Sequence, residues 1–226
     1  MDDAVGEVLN ALDEMGLDKN TIVVFTSDNG GVAAGDAFAT SNHPLRAGKG
    51  YQFEGGIREP YFIKMPGMEG GQKNNTPVTG TDFYPTLLEL AGADLRPGEH
   101  TDGVSLVPLL NGGTIAERPL IWHYPHYGNQ GGQPSSIIRL GKWKLIHYYE
   151  DGREELYNLE TDVEETTDLA DENPELVAGL SEKLFEMLNE MGARYPERDP
   201  EWTREAEEKY LEHIVNEVWP RLENQR

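Results

Sequence analysis

A chain of 226 residues, 37% hydrophobic and with aromatic residues spread along it, is long enough to bury a core in one or two domains. Its formal net charge of −22 repels nucleic acid and anionic membrane surfaces, and its basic residues stand singly or in pairs rather than in a cluster that would overcome that repulsion. With no cysteine there is no disulfide framework, no thiolate nucleophile and no soft zinc site.

In chain order, Asp2 or Asp3 is placed to cap a helix whose apolar residues Val5, Val8, Leu9, Leu12 and Met15 follow helical spacing, with Gly16 as its stop. Ile22 to Phe25 form a short apolar run that suits a strand buried on both faces. Helix, short loop and buried strand together predict an α/β fold. A long glycine-rich loop follows from Asp28 to Arg58, and loops of that length in a compact protein usually carry function. Pro60 to Gly67 is the next strand, and TDFYPTLLELAGA predicts a helix from Asp82 that stops at Gly92. From about Arg118 the texture changes. SIIRLGKWKLIHYY, DGREELYNL and a stretch from Pro174 to Met191 predict strand, turn, strand and helix, with Asp151-Gly152 at a hairpin. The division is a first domain over 1–117, a small α+β subdomain with an antiparallel sheet and a helix over 118–195, and a charged helical tail over 196–226. In that tail Trp202, Tyr210, Leu211, Ile214, Val218 and Trp219 recur at partly helical spacing. The start MDDAVGEVLNALDEMG is acidic and lacks the basic n-region of a signal peptide. No stretch approaches the ~18 apolar residues of a membrane span.

The run NTIVVFTSDNGG, Asn20 to Gly31, ends an apolar segment on Asp28, Asn29 and two glycines. Two readings are open there. Asn-Gly is a strong hairpin signal. Alternatively, ligands collect at the carboxyl ends of strands in open α/β sheets, and a carboxylate beside a carboxamide oxygen offers hard donors to Ca²⁺ or Mg²⁺. Two donors are too few for either ion, so further ligands would come from elsewhere. SNHPLRAGKGYQFEGGIREP, Ser41 to Pro60, sets His43, Arg46, Lys49, Glu54 and Arg58 among glycines and prolines. Lys49, between Gly48 and Gly50, can bring a point positive charge close to an oxyanion. Arg46 and Arg58 suit either bidentate oxyanion binding or pairing with acidic neighbours; for Arg58, beside Glu54 and Glu59, the structural pairing is expected. IWHYPHYGNQGGQPSS, Ile121 to Ser136, carries His123 and His126 with Tyr124 and Tyr127. It reads as an aromatic wall for a sugar ring or as a packed contact between subdomains. His100, His147 and His213 read as ordinary surface or core histidines.

FTSDNGG, PLRAGKG, EGGIREP and TDFYPTLLELAG, in this order, resemble the C-terminal half of the arylsulfatase family, formylglycine-dependent enzymes of the alkaline-phosphatase-like superfamily. GKWKLI and ELYNLETDVEETTDLA are similar to that family's C-terminal subdomain, and the resemblance runs from about Asp2 to Tyr195. It implies a partial alkaline-phosphatase-like mixed sheet with flanking helices, followed by the small α+β subdomain. It implies that Asp28 and Asn29 match a pair of metal ligands, for Ca²⁺ ahead of Mg²⁺, and that Lys49 matches the catalytic lysine contacting the sulfate ester on its leaving-group side. His43, His123, His126 and Arg46 are carried as substrate-side candidates.

The same resemblance marks what this stretch lacks. The family's nucleophile is formylglycine, made from Cys or Ser in a Cys/Ser-x-Pro-x-Arg motif; here NHPLR holds Asn42 where that residue would stand. The family's paired aspartates in its first strand, and the lysine and histidines of its N-terminal half, have no counterpart. The expectation is the last half of a sulfatase, beginning inside a helix and hydrolysing no ester alone, with an aryl or carbohydrate sulfate as substrate of the whole. One alternative is a phosphatase or phosphodiesterase of the same superfamily, disfavoured by Asn29 in place of an imidazole. Another is a non-catalytic carbohydrate-binding pseudoenzyme, disfavoured by the retention of Asp28, Asn29 and Lys49. The expected partners are a sulfated small molecule or glycan and, through surfaces bared by truncation, a second copy. Family members are often periplasmic, secreted or lysosomal, and this stretch does not choose among them.

Overall fold

The computed structural model describes residues 1–33, 40–128, 130–213 and 216. They divide into two compact units: the first joins Met1–Thr26 to Pro60–Arg118, and the second joins Ser27–Glu59 to Pro119–Arg226. The glycine-rich loop therefore packs with the C-terminal segment.

The first unit opens with helix α1, Asp2–Glu14, which ends where Gly16 turns into the left-handed region at φ +67. Neither aspartate caps it: the N-cap is Met1, without a side-chain hydrogen bond. The two acids lie in the first turn instead, where the helix dipole favours them. Strand β1, Val23–Thr26, pairs antiparallel with β2, Tyr61–Lys64, setting Val23 opposite Lys64 and Thr26 opposite Tyr61. The expectation of a strand buried on both faces is corrected here. None of β1 is fully buried, because among the described residues β2 is its one hydrogen-bonded neighbour. A short 3₁₀ turn and a capping box between Thr79 and Asp82 lead into α3, Phe83–Leu90, which Gly92 stops at φ +72 as its position predicts. Asp82 is fully buried; it accepts from the backbone N–H of Val104 (2.9 Å) and pairs with Arg118, tying the segment around α4, Val107–Leu110, to the start of α3.

The second unit contains the helical turn α2, Glu54–Ile57, and a four-stranded antiparallel meander in the order β3, Leu120–Tyr124; β4, Ser135–Leu140; β5, Trp143–Tyr148; β6, Glu154–Asn158. A tight turn at Gly141, φ +56, splits SIIRLGKWKLIHYY into β4 and β5, and Gly152 in the β5–β6 turn donates to the Tyr148 carbonyl (3.0 Å). Helix α5, Pro174–Glu190, starts with proline at a position whose N–H has no helical partner. Both faces of this sheet are covered, and strand alternation decides which residue meets which cover. Leu145, with Ile138 and Leu156, packs under Leu180, Leu184 and Leu188 of α5. Ile146 and Tyr148, with Ile137 and Tyr157, pack on Phe53 from the glycine-rich loop. Helix α6 spans Arg204–His213; the tail expectations at Ile214, Val218 and Trp219, and the side chains of Tyr210 and Leu211, fall outside the described residues. The class is α/β as expected, but within the described residues both sheets are antiparallel rather than mixed. No helix among them is long and apolar enough to cross a membrane.

Candidate functional site

Beyond β1 the chain crosses two other segments of its own loop at backbone distance. The Gly30 N–H donates to the Gly56 carbonyl (3.1 Å) and the Lys49 N–H to the Gly31 carbonyl (3.1 Å). A Cβ on Gly30 would lie 1.8 Å from the Gly55 oxygen, and one on Gly48 2.3 Å from the Gly31 oxygen, so these crossings admit glycine alone. The Asn42 amide donates to the carbonyls of Gly31 (2.8 Å) and Ala47 (3.0 Å), which makes it a tie across the loop. Asp28–Asn29 and Lys49 are thus carried on neighbouring backbone segments. Asp28 is exposed, Asn29 and Lys49 half-buried. Nearby, the Glu59 carboxyl is raised above its ordinary range, first by burial and then by the negative charge of Asp28, and its Oε1 is buried without a hydrogen-bond partner.

The same loop is clasped to the meander by buried charge. Lys144, Glu54 and Glu165 have 0%, 1% and 0% of their side chains exposed, and the Lys144 Nζ lies 3.1 Å from Glu54 and 2.7 Å from Glu165. Glu165 Oε2 also accepts the Glu54 N–H (2.6 Å), Arg139 approaches Glu54 at 3.5 Å, and Arg58 pairs with Glu54 at 3.7 Å as expected. Burial raises the Glu165 carboxyl and Lys144 pulls it back. Arg46 belongs to this clasp as well: its guanidinium stacks 3.7 Å over the Phe53 ring and donates to the Glu165 carbonyl (2.8 Å) and the Tyr157 hydroxyl (3.3 Å). These contacts give Arg46 a structural role in the clasp, beside the substrate-side role expected of it. Among the described residues, the non-glycine residues with positive φ are Ala47 at 58° and Glu165 at 51°, both in the clasped segments; such backbone persists where its surroundings over-determine it.

The histidines are placed less uniformly. His43 is exposed and joined to Pro44 by a cis peptide bond. His123 has both ring nitrogens engaged, Nδ1 with the Ser136 hydroxyl (2.6 Å) and Nε2 with the Arg194 carbonyl (2.9 Å). A carbonyl only accepts, so Nε2 carries a proton, and Nδ1 shares a hydrogen bond with the Ser136 hydroxyl. His123 therefore orders β3 rather than offering a free ring nitrogen. His126 is exposed and packs edge-on against Tyr124 (5.4 Å). Beside these residues lies a cavity of about 260 Å³, lined among others by Tyr51, Gln52, Trp122, Tyr124 and Gln133.

The sulfatase family profile matches residues 1–93. The chain is 36% identical to a sulfatase of Formosa agariphila, over 93% of this chain and 43% of that protein. The chain belongs to the sulfatase family. In structure this sulfatase chain is similar to Ps i-CgsB, solved in complex with k-i-k-neocarrahexaose, with a TM-score of 0.71 and 28% identity over 96% of this chain and 46% of that one. It is also similar to BT4656, solved with its substrate D-glucosamine-2-N,6-O-disulfate, at a TM-score of 0.62 and 26% identity over 83% of this chain and 38% of that one. It spans less than half the length of each of these relatives. The fold is the alkaline-phosphatase-like one, and the phosphatase and pseudoenzyme alternatives are not favoured.

For a sulfatase metal centre, Asp28 and Asn29 fit as part of a shell. Both offer oxygen, and the unpartnered Glu59 oxygen beside Asp28 leaves local negative charge that a cation would relieve. They are two donors where calcium takes about six to eight, and no three His, Cys, Asp or Glu converge among the described residues. Lys144, Glu54 and Glu165 were not singled out as a group in the sequence. The signal available was parity: Lys144 shares its strand face with Ile146 and Tyr148, which puts a lysine on a core face. Asn42, at the start of NHPLR, is occupied in holding the loop.

Proposed function

We propose that this chain supplies the catalytic lysine and part of a divalent-cation site to a sulfuric ester hydrolase acting on a sulfated glycan. The observation that carries the reading is the hydrogen bond from the Lys49 N–H to the Gly31 carbonyl (3.1 Å). It docks the lysine segment against the Asp28–Asn29 turn through crossings that only glycine permits. The glycan class is favoured by the two structural relatives solved with a neocarrahexaose and with D-glucosamine-2-N,6-O-disulfate.

A bound divalent cation, calcium before magnesium, would supply positive charge against the sulfate oxygens. Asp28 would offer its carboxylate and Asn29 its amide oxygen to that ion. Lys49 would set its ammonium against the leaving-group oxygen and stabilise the negative charge that grows there as the S–O bond breaks. The family's formylglycine has no precursor in this chain, which holds no cysteine and no Ser-x-Pro-x-Arg sequence; alone, the chain turns over no sulfate ester.

The test exchanges the matching segment of the Formosa agariphila sulfatase for this chain and assays that enzyme's own substrate. The expected chimera is calcium-dependent, and Lys49→Ala lowers its kcat by ~10²–10³-fold while KM changes little. A folded chimera whose turnover ignores Lys49→Ala would remove the lysine from the mechanism. Measurable calcium-dependent turnover by the unmodified chain alone would overturn the need for a second part.

A further inference from the structure

We infer that the cavity of about 260 Å³ in the second unit is a subsite for one uncharged pyranose ring, and that it selects against a second anionic group on the substrate. This rests on the sulfated-glycan reading above and adds to it what the neighbouring part of the glycan must be. Tyr51, Trp122 and Tyr124 line it, and aromatic rings are side chains on which the C–H face of a sugar packs. The volume lies just below the ~300–1,000 Å³ usual for small-molecule sites, which suits a single ring rather than an extended oligosaccharide.

The lining carries the selectivity. Among the described residues that line it there is no Lys, Arg, Asp or Glu. Its one imidazole, His123, has both ring nitrogens already engaged, by the Ser136 hydroxyl and the Arg194 carbonyl, and so has no free N–H to offer an anion. Two of its polar groups are side-chain amides, each with one end already engaged. Gln52 donates its nitrogen to the Tyr148 hydroxyl (2.8 Å), which leaves its carbonyl as an acceptor. Gln133 accepts from Arg153 at its oxygen, which leaves its nitrogen as a donor. One acceptor and one donor are what a pair of sugar hydroxyls needs. Arg153, the cation behind Gln133, is matched by Asp151 (2.8 Å) and Glu155 (3.4 Å), so it offers no spare positive charge. A sulfate or carboxylate in this space would lose water without gaining a cation. Lys49 precedes Gly50, which lines the cavity, so the subsite begins one residue from the lysine assigned to the ester.

The experiment follows Trp122 fluorescence of the intact chain, assigned by loss of the signal in Trp122→Phe, during titration with methyl glycosides of several neutral hexoses. The same titration is run with glucuronic acid and with D-glucosamine-2-N,6-O-disulfate. At least one neutral glycoside should give a saturable change, and the charged sugars should bind at least ~10-fold more weakly than the best neutral one. Tyr124→Ala, at an exposed position, should weaken the neutral glycoside by about 5-fold or more without altering the far-ultraviolet spectrum. Equal or tighter binding of the disulfate overturns the selectivity. No response to any neutral glycoside at tens of millimolar overturns the subsite. Either result leaves the Lys49 assignment standing, because that is decided by turnover in the chimera.

Discussion

Lys144 stands between two carboxylates with none of its side chain exposed, so its removal should be the most costly single change in the second unit. Taking one partner from a buried ionic cluster leaves an uncompensated charge, at a cost of ~3–5 kcal/mol. Lys144→Met should therefore lower the urea midpoint sharply, and adding Glu165→Leu should restore part of the loss; a midpoint unchanged by Lys144→Met would mean the cluster contributes nothing. Gly30 makes a different demand. Its pro-Cβ direction points at the Gly55 oxygen 1.8 Å away, so Gly30→Ala must push the crossing segments apart. Gly70 has nothing within 4 Å and no positive φ, which makes it the control. Gly30→Ala is expected to cost more than about 2 kcal/mol and Gly70→Ala less than ~0.5 kcal/mol in the same denaturation series. Similar values for the two would contradict the close-approach argument.

At the scale of elements, the β5–β6 hairpin and α5 are joined by a polar contact at the edge of an otherwise apolar interface. Glu154 at the start of β6 accepts from His147 of β5 (3.1 Å) and from the Ser181 hydroxyl of α5 (2.5 Å). Burial by itself would raise this carboxyl; the bonds from His147 and Ser181 outweigh it and hold it below the ordinary 4.5. A carboxylate depressed by folding contributes stability above its unfolded value and loses it as pH falls through the folded one. Glu154→Gln should cost about 1 kcal/mol at neutral pH, and the difference from the parent chain should shrink as the pH is taken below 4.5. A difference that stays constant across that window would show that packing, not ionisation, is at work. The elements themselves were legible in advance: α1, α3, α5 and the Asp151-Gly152 hairpin follow from periodicity and turn chemistry over a few residues. The cap on α1 and the burial of β1 were not, because each depends on what lies beside the element rather than within it.

At the scale of the molecule, the first unit presents an apolar groove of about 590 Å³ between α1 and the β1–β2 pair, bordered by Val5, Leu9, Phe25 and Phe62. Phe62 is 61% exposed, and apolar surface gathered in this way drives association. The chain is expected to self-associate at micromolar concentration in light scattering, and Phe62→Lys to reduce that association. A monodisperse monomer of the parent chain would count against it.

The local grammar of this sequence determined its class, most of its elements and the short motifs that announce a sulfatase, because those depend on residues close together in the chain. Asp28, Asn29 and Lys49 could be named from their motifs for the same reason. Tertiary structure alone decided which residues are structural and which stay accessible. Lys144 meets Glu54 across 90 positions, Arg46 reaches the Glu165 carbonyl across 119, and His123 meets the Arg194 carbonyl across 71. A charged or imidazole side chain becomes a clasp or a ligand according to whether a partner lies within hydrogen-bond reach, and partners at those separations are brought together only by the packed sheet.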